Sequence, residues 1–134
     1  MELDKLSYTH ANIRTRNMPI KIVIMGDVSV GKTSLCMSYI ANKFTKKIVP
    51  AIFARYSQTV NIDGNIYTLR LWDTAVGYND GEKLRPFSYR NTWIFLVCFS
   101  VVSHTSFENV KETWVPEIRK NCEKTQFLLV GRAV

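Results

Sequence analysis

Apolar residues in this chain repeat first with the period of a strand and then with that of a helix, and the alternation continues to the end. Ile20-Lys-Ile-Val-Ile-Met25 is an apolar run broken only by Lys21, which predicts a buried strand, and Ser34-Leu-Cys-Met-Ser-Tyr-Ile-Ala-Asn42 predicts a helix. Val60 and Ile62 alternate with polar neighbours, Asp63-Gly64-Asn65 makes a tight turn, and Tyr67, Leu69 and Leu71 alternate again, the signature of a hairpin. Trp93-Ile-Phe-Leu-Val-Cys-Phe99 is apolar at every position, as a strand covered on both faces is, and its expected place is the sheet centre. From Ser106 to Asn121 the residues Phe107, Val110, Trp114, Val115 and Ile118 fall at helical spacing and are expected in the core, with Pro116 perturbing or interrupting the helix. Phe127-Leu-Leu-Val130 predicts a last buried strand. Residues 1–19 are polar, carry Arg14 and Arg16, and show no sustained period, so they read as a mobile extension ahead of a domain at 20–134.

Strands alternating with helices imply an α/β fold with an open, mostly parallel sheet of about five strands, whose ligand sits beyond the strands' carboxyl ends. The first candidate chemistry stands there. Gly26-Asp-Val-Ser-Val-Gly-Lys-Thr33 fits G-x-x-x-x-G-K-[ST] between a strand and a helix, the context that the phosphate-binding loop of P-loop NTPases requires. Such a loop aims successive backbone N–H groups at phosphate oxygens, at the positive end of the following helix. Lys32 would add a point charge, and Thr33 a hydroxyl for a magnesium ion. Asp73, in Leu71-Trp-Asp-Thr74, follows the apolar alternation of the return strand, where a carboxylate holds magnesium directly or through water.

Composition narrows the classes further. The 134 residues, 46% of them hydrophobic, suit one modest domain. The longest mostly apolar stretch, Trp93 to Val102, falls well short of the roughly 20 residues of a membrane-spanning helix. The N-terminal residues lack a signal-peptide core, and Glu2 stands where myristoylation needs glycine. A net charge of +7 raises the question of polyanions, but the 18 basic residues spread from Lys5 to Arg132. Clusters at Lys43, Lys46 and Lys47 and at Arg119, Lys120 and Lys124 read as a solvated basic surface with weak contact to an anionic surface or acidic partner; without interleaved aromatics, nucleic acid is not expected. Three widely spaced cysteines, Cys36, Cys98 and Cys122, suggest free thiols in a reducing cytoplasm, and no metal site.

From Ile20 to Gly131 the chain resembles a Rho/Rac-type small GTPase. The phosphate loop, Asn42-Lys-Phe44, Val49-Pro50, Trp72-Asp-Thr-Ala75, Leu84-Arg-Pro86, Phe95-Leu-Val-Cys-Phe-Ser-Val-Val102, Ser106-Phe-Glu-Asn-Val-Lys111, Trp114-Val-Pro-Glu-Ile118 and Phe127-Leu-Leu-Val-Gly131 match that family in order. The resemblance implies a GTP/GDP switch, with Phe44 packed on the guanine and the stretch from Ile48 to Tyr56 contacting effectors. It implies that the region from Ala75 to Arg90 senses the terminal phosphate and meets regulators. The implied nucleotide contacts are Gly26, Asp27, Val28, Ser29, Val30, Gly31, Lys32, Thr33, Ser34, Phe44, Asp73, Thr74, Ala75 and Gly77, with Thr33 and Asp73 on Mg2+.

The departures are as specific as the matches. Where the family has a magnesium-sensing threonine after Val-Pro, this chain has Ala51. Val28 replaces the loop's usual third-position glycine and crowds the space used by the attacking water, its glutamine and an arginine finger. After Ala75 the family continues Gly-Gln; here Val76-Gly77-Tyr78-Asn79 follows, so Gly77 can still supply an amide, but no glutamine occurs before Arg90. Hydrolysis of this kind is mostly positioning and charge stabilisation, so it is expected to be slowed by orders of magnitude while phosphate binding persists.

The sequence ends at Val134, before the family's base-reading Asn/Thr-Lys-x-Asp loop, last strand and last two helices. Guanine selectivity is therefore not expected from Phe44 alone. Apolar surface is expected to lie open where the terminal helix packs, and no prenyl anchor is expected, since no cysteine stands near the end. Three readings follow: a Rho-like GTP-binding switch with weakened hydrolysis, a nucleotide-weak interaction module presenting Ile48 to Tyr56, and a degenerate product without a stable fold.

Overall fold

The computed structural model describes residues 19–41, 53–74 and 85–133. Five strands, β1 (Ile20–Gly26), β2 (Phe53–Ile62), β3 (Asn65–Thr74), β4 (Ile94–Ser100) and β5 (Gln126–Arg132), form one sheet in the order β2-β3-β1-β4-β5. Only β2–β3 is antiparallel; β1 runs parallel to β3 and β4, and β4 parallel to β5. The mostly parallel α/β sheet expected from the pattern is thus present. Its hairpin turns at Asp63 and Gly64, whose φ angles of 52° and 83° are the two left-handed positions of a tight turn matched to the twist of the flanking strands. Asn61 Oδ1 fixes the turn by accepting from Gly64 N at 3.0 Å.

Helix α1 (Lys32–Ala41) covers one face of the sheet, over a core of Ile24, Val30, Cys36, Leu71 and Cys98. The other face holds Val23, Met25, Tyr89, Phe95, Val97, Val110, Trp114 and Ile118. Each large apolar side chain buried here contributes about 1.5–3 kcal/mol. The second face is covered by a helical run: α2 (His104–Asn109), a π turn (Val110–Trp114) and α3 (Val115–Asn121). Ser103 caps its start by accepting from Ser106 N.

The structure corrects the sequence reading at four places. The helix after the loop starts at Lys32, two residues earlier than its apolar pattern, because the loop's last residues are already helical. β4 is paired on both sides and feeds both cores, but β1 holds the middle of the sheet. β5 is an edge strand, not a buried one: Leu128 and Leu129 are 53% and 51% exposed. Phe107 is 47% exposed and packs edge-on against Phe99 instead of entering the core. The perturbation expected at Pro116 is present as the π turn just before it, after which α3 runs on through the proline. Val115 N–H reaches back to Val110 O, and the widened turn spares the proline ring the clash that a regular helix imposes.

Candidate functional site

β1 ends in a glycine because nothing else fits. A Cβ on Gly26 would lie 2.2 Å from Cys98 O, and its φ of 144° is one that side chains rarely adopt. From there the chain bends through Ser29 and Gly31, with φ angles of 66° and 91°, and enters α1, whose Leu35 N–H bonds Gly31 O at 2.9 Å. Val30, 2% exposed, pins the loop into the core beneath it, while Val28 and Ser29 face outward.

Lys32 turns back beneath the loop. Its Nζ donates to Gly26 O at 2.9 Å and Asp27 O at 2.7 Å, which uses two of its three N–H donors. Thr33 Oγ1 donates to Asp73 Oδ2, joining α1 to β3 across 40 residues. Register explains the meeting: Asp73 sits beside Ile24 near the carboxyl end of β3, level with the end of β1. Thr74 fastens that end by donating from Oγ1 to Ile24 O at 2.7 Å.

Burial dominates the electrostatics. It holds the Lys32 pKa below the usual lysine value despite the attraction of Asp73, Cys98 and Asp27. It also raises the Asp73 carboxyl, against the hydrogen bond from Thr33 and the charge of Lys32. Both groups are short of countercharge, so an anion near the loop favours charged Lys32 and a cation favours charged Asp73. The Thr33 hydroxyl and the Asp73 carboxylate are hard oxygen donors of the kind magnesium takes.

Of the residues expected at the site, Gly26 to Ser34, Asp73 and Thr74 are brought together at one end of the sheet. Phe44, Ala51, Ala75 and Gly77 lie outside the described residues. In the two stretches expected to meet partners, residues 53–56 open β2 and Arg85–Tyr89 form a 3₁₀ turn; their remainder lies outside the described residues, apart from Arg90. All three cysteines are free thiols.

Two supporting groups escaped the sequence reading. Asn109 Nδ2 donates to Asp27 Oδ2 at 2.6 Å and Trp114 Nε1 to Asp27 Oδ1 at 2.8 Å, so the second helical layer grips the loop by a side chain. A signal existed: an indole in an apolar row needs an acceptor for its N–H. The other is a buried brace in which Arg85 Nε and Nη2 meet Glu117 Oε2 and Oε1 at 2.9 and 2.6 Å, and Tyr89 donates its hydroxyl to the same carboxylate.

No helix among the described residues is long and apolar enough to cross a membrane. A Ras family model matches residues 21–134, most of the chain, and spans every strand and helix of this fold but for the first residue of β1. With strand, loop and helix joined in the order that family uses, the chain belongs to the Ras family of small GTPases, guanine-nucleotide switch proteins of signalling.

Proposed function

We propose that this protein is a Rho-like GTP/GDP switch that holds nucleotide on the loop from Gly26 to Ser34 and hydrolyses GTP poorly. One observation carries the reading: Thr33 and Asp73 meet by a hydrogen bond beside the buried ammonium of Lys32. That set fits the nucleotide's phosphates and Mg2+. Lys32 has a donor to spare for a phosphate oxygen, and the paired hydroxyl and carboxylate are oxygens that would hold the metal. When bound, magnesium neutralises charge on the phosphate oxygens.

The chain's own groups would bind and orient the phosphates through loop amides and Lys32, while Asp27, held by Asn109 and Trp114, keeps the loop in shape. Val28, 58% exposed on the outer side of the loop, would by resemblance crowd the space of a catalytic water and an incoming arginine. Together with Ala51 and the lack of a glutamine between Ala75 and Arg90, this favours binding over cleavage. Phe44 would pack on the base, Ala75 and Gly77 would approach the terminal phosphate, and partners would meet the stretches from Ile48 to Tyr56 and Ala75 to Arg90. By resemblance, the setting is cytoplasmic control of the actin cytoskeleton.

Titration of the purified protein with fluorescent GDP, GTP and ATP, with and without magnesium, tests the proposal. Expected are guanine-nucleotide binding in the submicromolar range (about −8 kcal/mol or stronger) and GTP turnover below about 3 × 10⁻⁴ s⁻¹. Lys32→Ala should abolish the phosphate-dependent part of the affinity. Fast turnover would overturn the slow-hydrolysis reading. Absence of nucleotide binding to well-folded protein would favour the interaction module instead.

A further inference from the structure

At the end of the sheet away from the phosphate loop, where β1, β4 and β5 begin, the chain encloses an open cavity of about 970 Å³. Lys21, Arg70, Arg90 and Lys124 line it, Trp72 and Phe87 supply much of its apolar wall, and among the described residues no acidic side chain borders it. Among the described residues no carboxylate lies within ion-pair distance of these four cations or of Arg55 beside them.

What holds them is weaker. Lys21 Nζ donates to the carbonyls of Ser88 and Arg90 and stands 3.8 Å from the centre of the Trp72 ring, while the Arg55 guanidinium lies 4.0 Å from the same ring. A cation over an aromatic face gains about 0.5–2 kcal/mol, which leaves both charges in place. Burial and the nearby Arg55 hold the Lys21 pKa below the usual lysine value, as expected where like charges gather. A concave site lined by one sign of charge focuses its field on an incoming counter-ion.

We propose that this cavity binds a compact polyanion bearing several phosphate groups on a ring-sized scaffold. Each phosphate monoester brings up to two negative charges and several strong acceptor oxygens, so two or three of them neutralise the four lining cations within the space available. Arg70 and Arg90 present planar forks suited to two-point contact with phosphate. Trp72 and the exposed ring of Phe87 offer an apolar wall for the scaffold. An acidic peptide would need one side chain for each charge and a longer track. The ligand's chemistry is shared by soluble inositol polyphosphates and by phosphoinositide headgroups. Nucleotide at the phosphate loop would occupy the opposite end of the sheet.

The test uses inositol hexakisphosphate as probe, in excess GDP, with tryptophan emission and calorimetry as readouts. The expected result is a Kd below about 100 μM, weakened about tenfold or more by Arg70→Ala with Lys124→Ala. Both residues are exposed, and circular dichroism checks that the pair of changes leaves the fold intact. Lys111→Ala with Lys120→Ala, which removes two exposed cations outside the cavity, should shift the Kd less than about twofold. Vesicles of phosphatidylcholine with and without a phosphoinositide bisphosphate separate the sources. Vesicle binding that the probe displaces assigns the headgroup, and probe binding without vesicle binding assigns a soluble ligand. The proposal is overturned if the probe fails to bind below the millimolar range, if both variant pairs weaken it equally, or if an octaglutamate peptide binds as tightly.

Discussion

The Asp27 carboxylate, inside the phosphate loop, accepts the indole N–H of Trp114 at 2.8 Å from a residue 87 positions further along the chain. Hydrogen bonds to a charged group contribute about 1.5–3 kcal/mol, so Trp114→Phe, which keeps most of the apolar volume and loses the donor, should destabilise the fold by about that amount. Because the loop loses an anchor, bound GDP should also leave faster. Urea unfolding and stopped-flow release of fluorescent GDP measure the two effects; unchanged release would mean that the loop holds its shape without this bond.

Arg85, Tyr89 and Glu117 form a buried unit in which a single carboxylate serves both partners. Glu117→Ala leaves a buried guanidinium without its counterion and should cost about 3–5 kcal/mol. Tyr89→Phe removes one bond to that carboxylate while Arg85 keeps its counterion, and should cost less, about 1.5–3 kcal/mol. The contrast in urea midpoints between the two variants checks the argument, and equal costs would contradict it.

Alkaline pH should loosen the fold well before ordinary denaturation. Burial pushes the Cys98 thiol up to about 11, raises Cys36 further above the normal thiol range, and raises Tyr89 with help from Glu117. In the unfolded chain, thiols ionise near 8.5 and tyrosine near 10, so the unfolded state releases these protons first. Stability is therefore fully present below about pH 8.5 and falls as pH rises, by up to about 1.4 kcal/mol per pH unit for each group. Unfolding midpoints between pH 7 and 10.5 report the slope, which Cys98→Ala should make shallower.

Two glycines offer a paired test of backbone space. Gly26→Ala drives a methyl into Cys98 O and should prevent folding or cost more than about 3 kcal/mol, since backbone lies on the other side of the contact. Gly64→Ala meets open space, and only its φ of 83° is strained, so about 1 kcal/mol is expected. Comparable stability of the two variants would refute the packing account of Gly26.

The sequence was most informative where one residue type has one physical job. Gly31-Lys32-Thr33 after a strand, the period-two alternation around Asp63-Gly64, and the unbroken apolar run of β4 each led to the element that is observed. Legibility ended where position depends on the whole sheet. A strand's own residues do not say whether it is the middle or the next one out, so the pattern points β4 to the centre that β1 holds, and the apolar β5 reads as interior although it forms an edge. At the site, the loop and Asp73 were visible because their spacing is local chemistry. The partners of Asn109 and Trp114 were not: the indole signals that its N–H needs an acceptor, but a hydrogen bond across 82 or 87 residues leaves no periodic trace of which one.

The π turn at Val110–Trp114 works as a phase shifter. By accommodating one residue more than a regular turn, it sets back everything after it by about 100° around the helix axis. Ahead of it Asn109 reaches Asp27, within it Trp114 does the same, and beyond it Glu117 faces Arg85 and Tyr89. One helical rod thereby holds the loop at one point and the turn before β4 at another. Removing a single residue from the turn would make it regular and cancel that set-back, leaving both grips in phase, whereas regularising the turn with no residue lost would rotate the second grip away by about 100°, so the extra residue is what keeps two distant parts of the molecule in step.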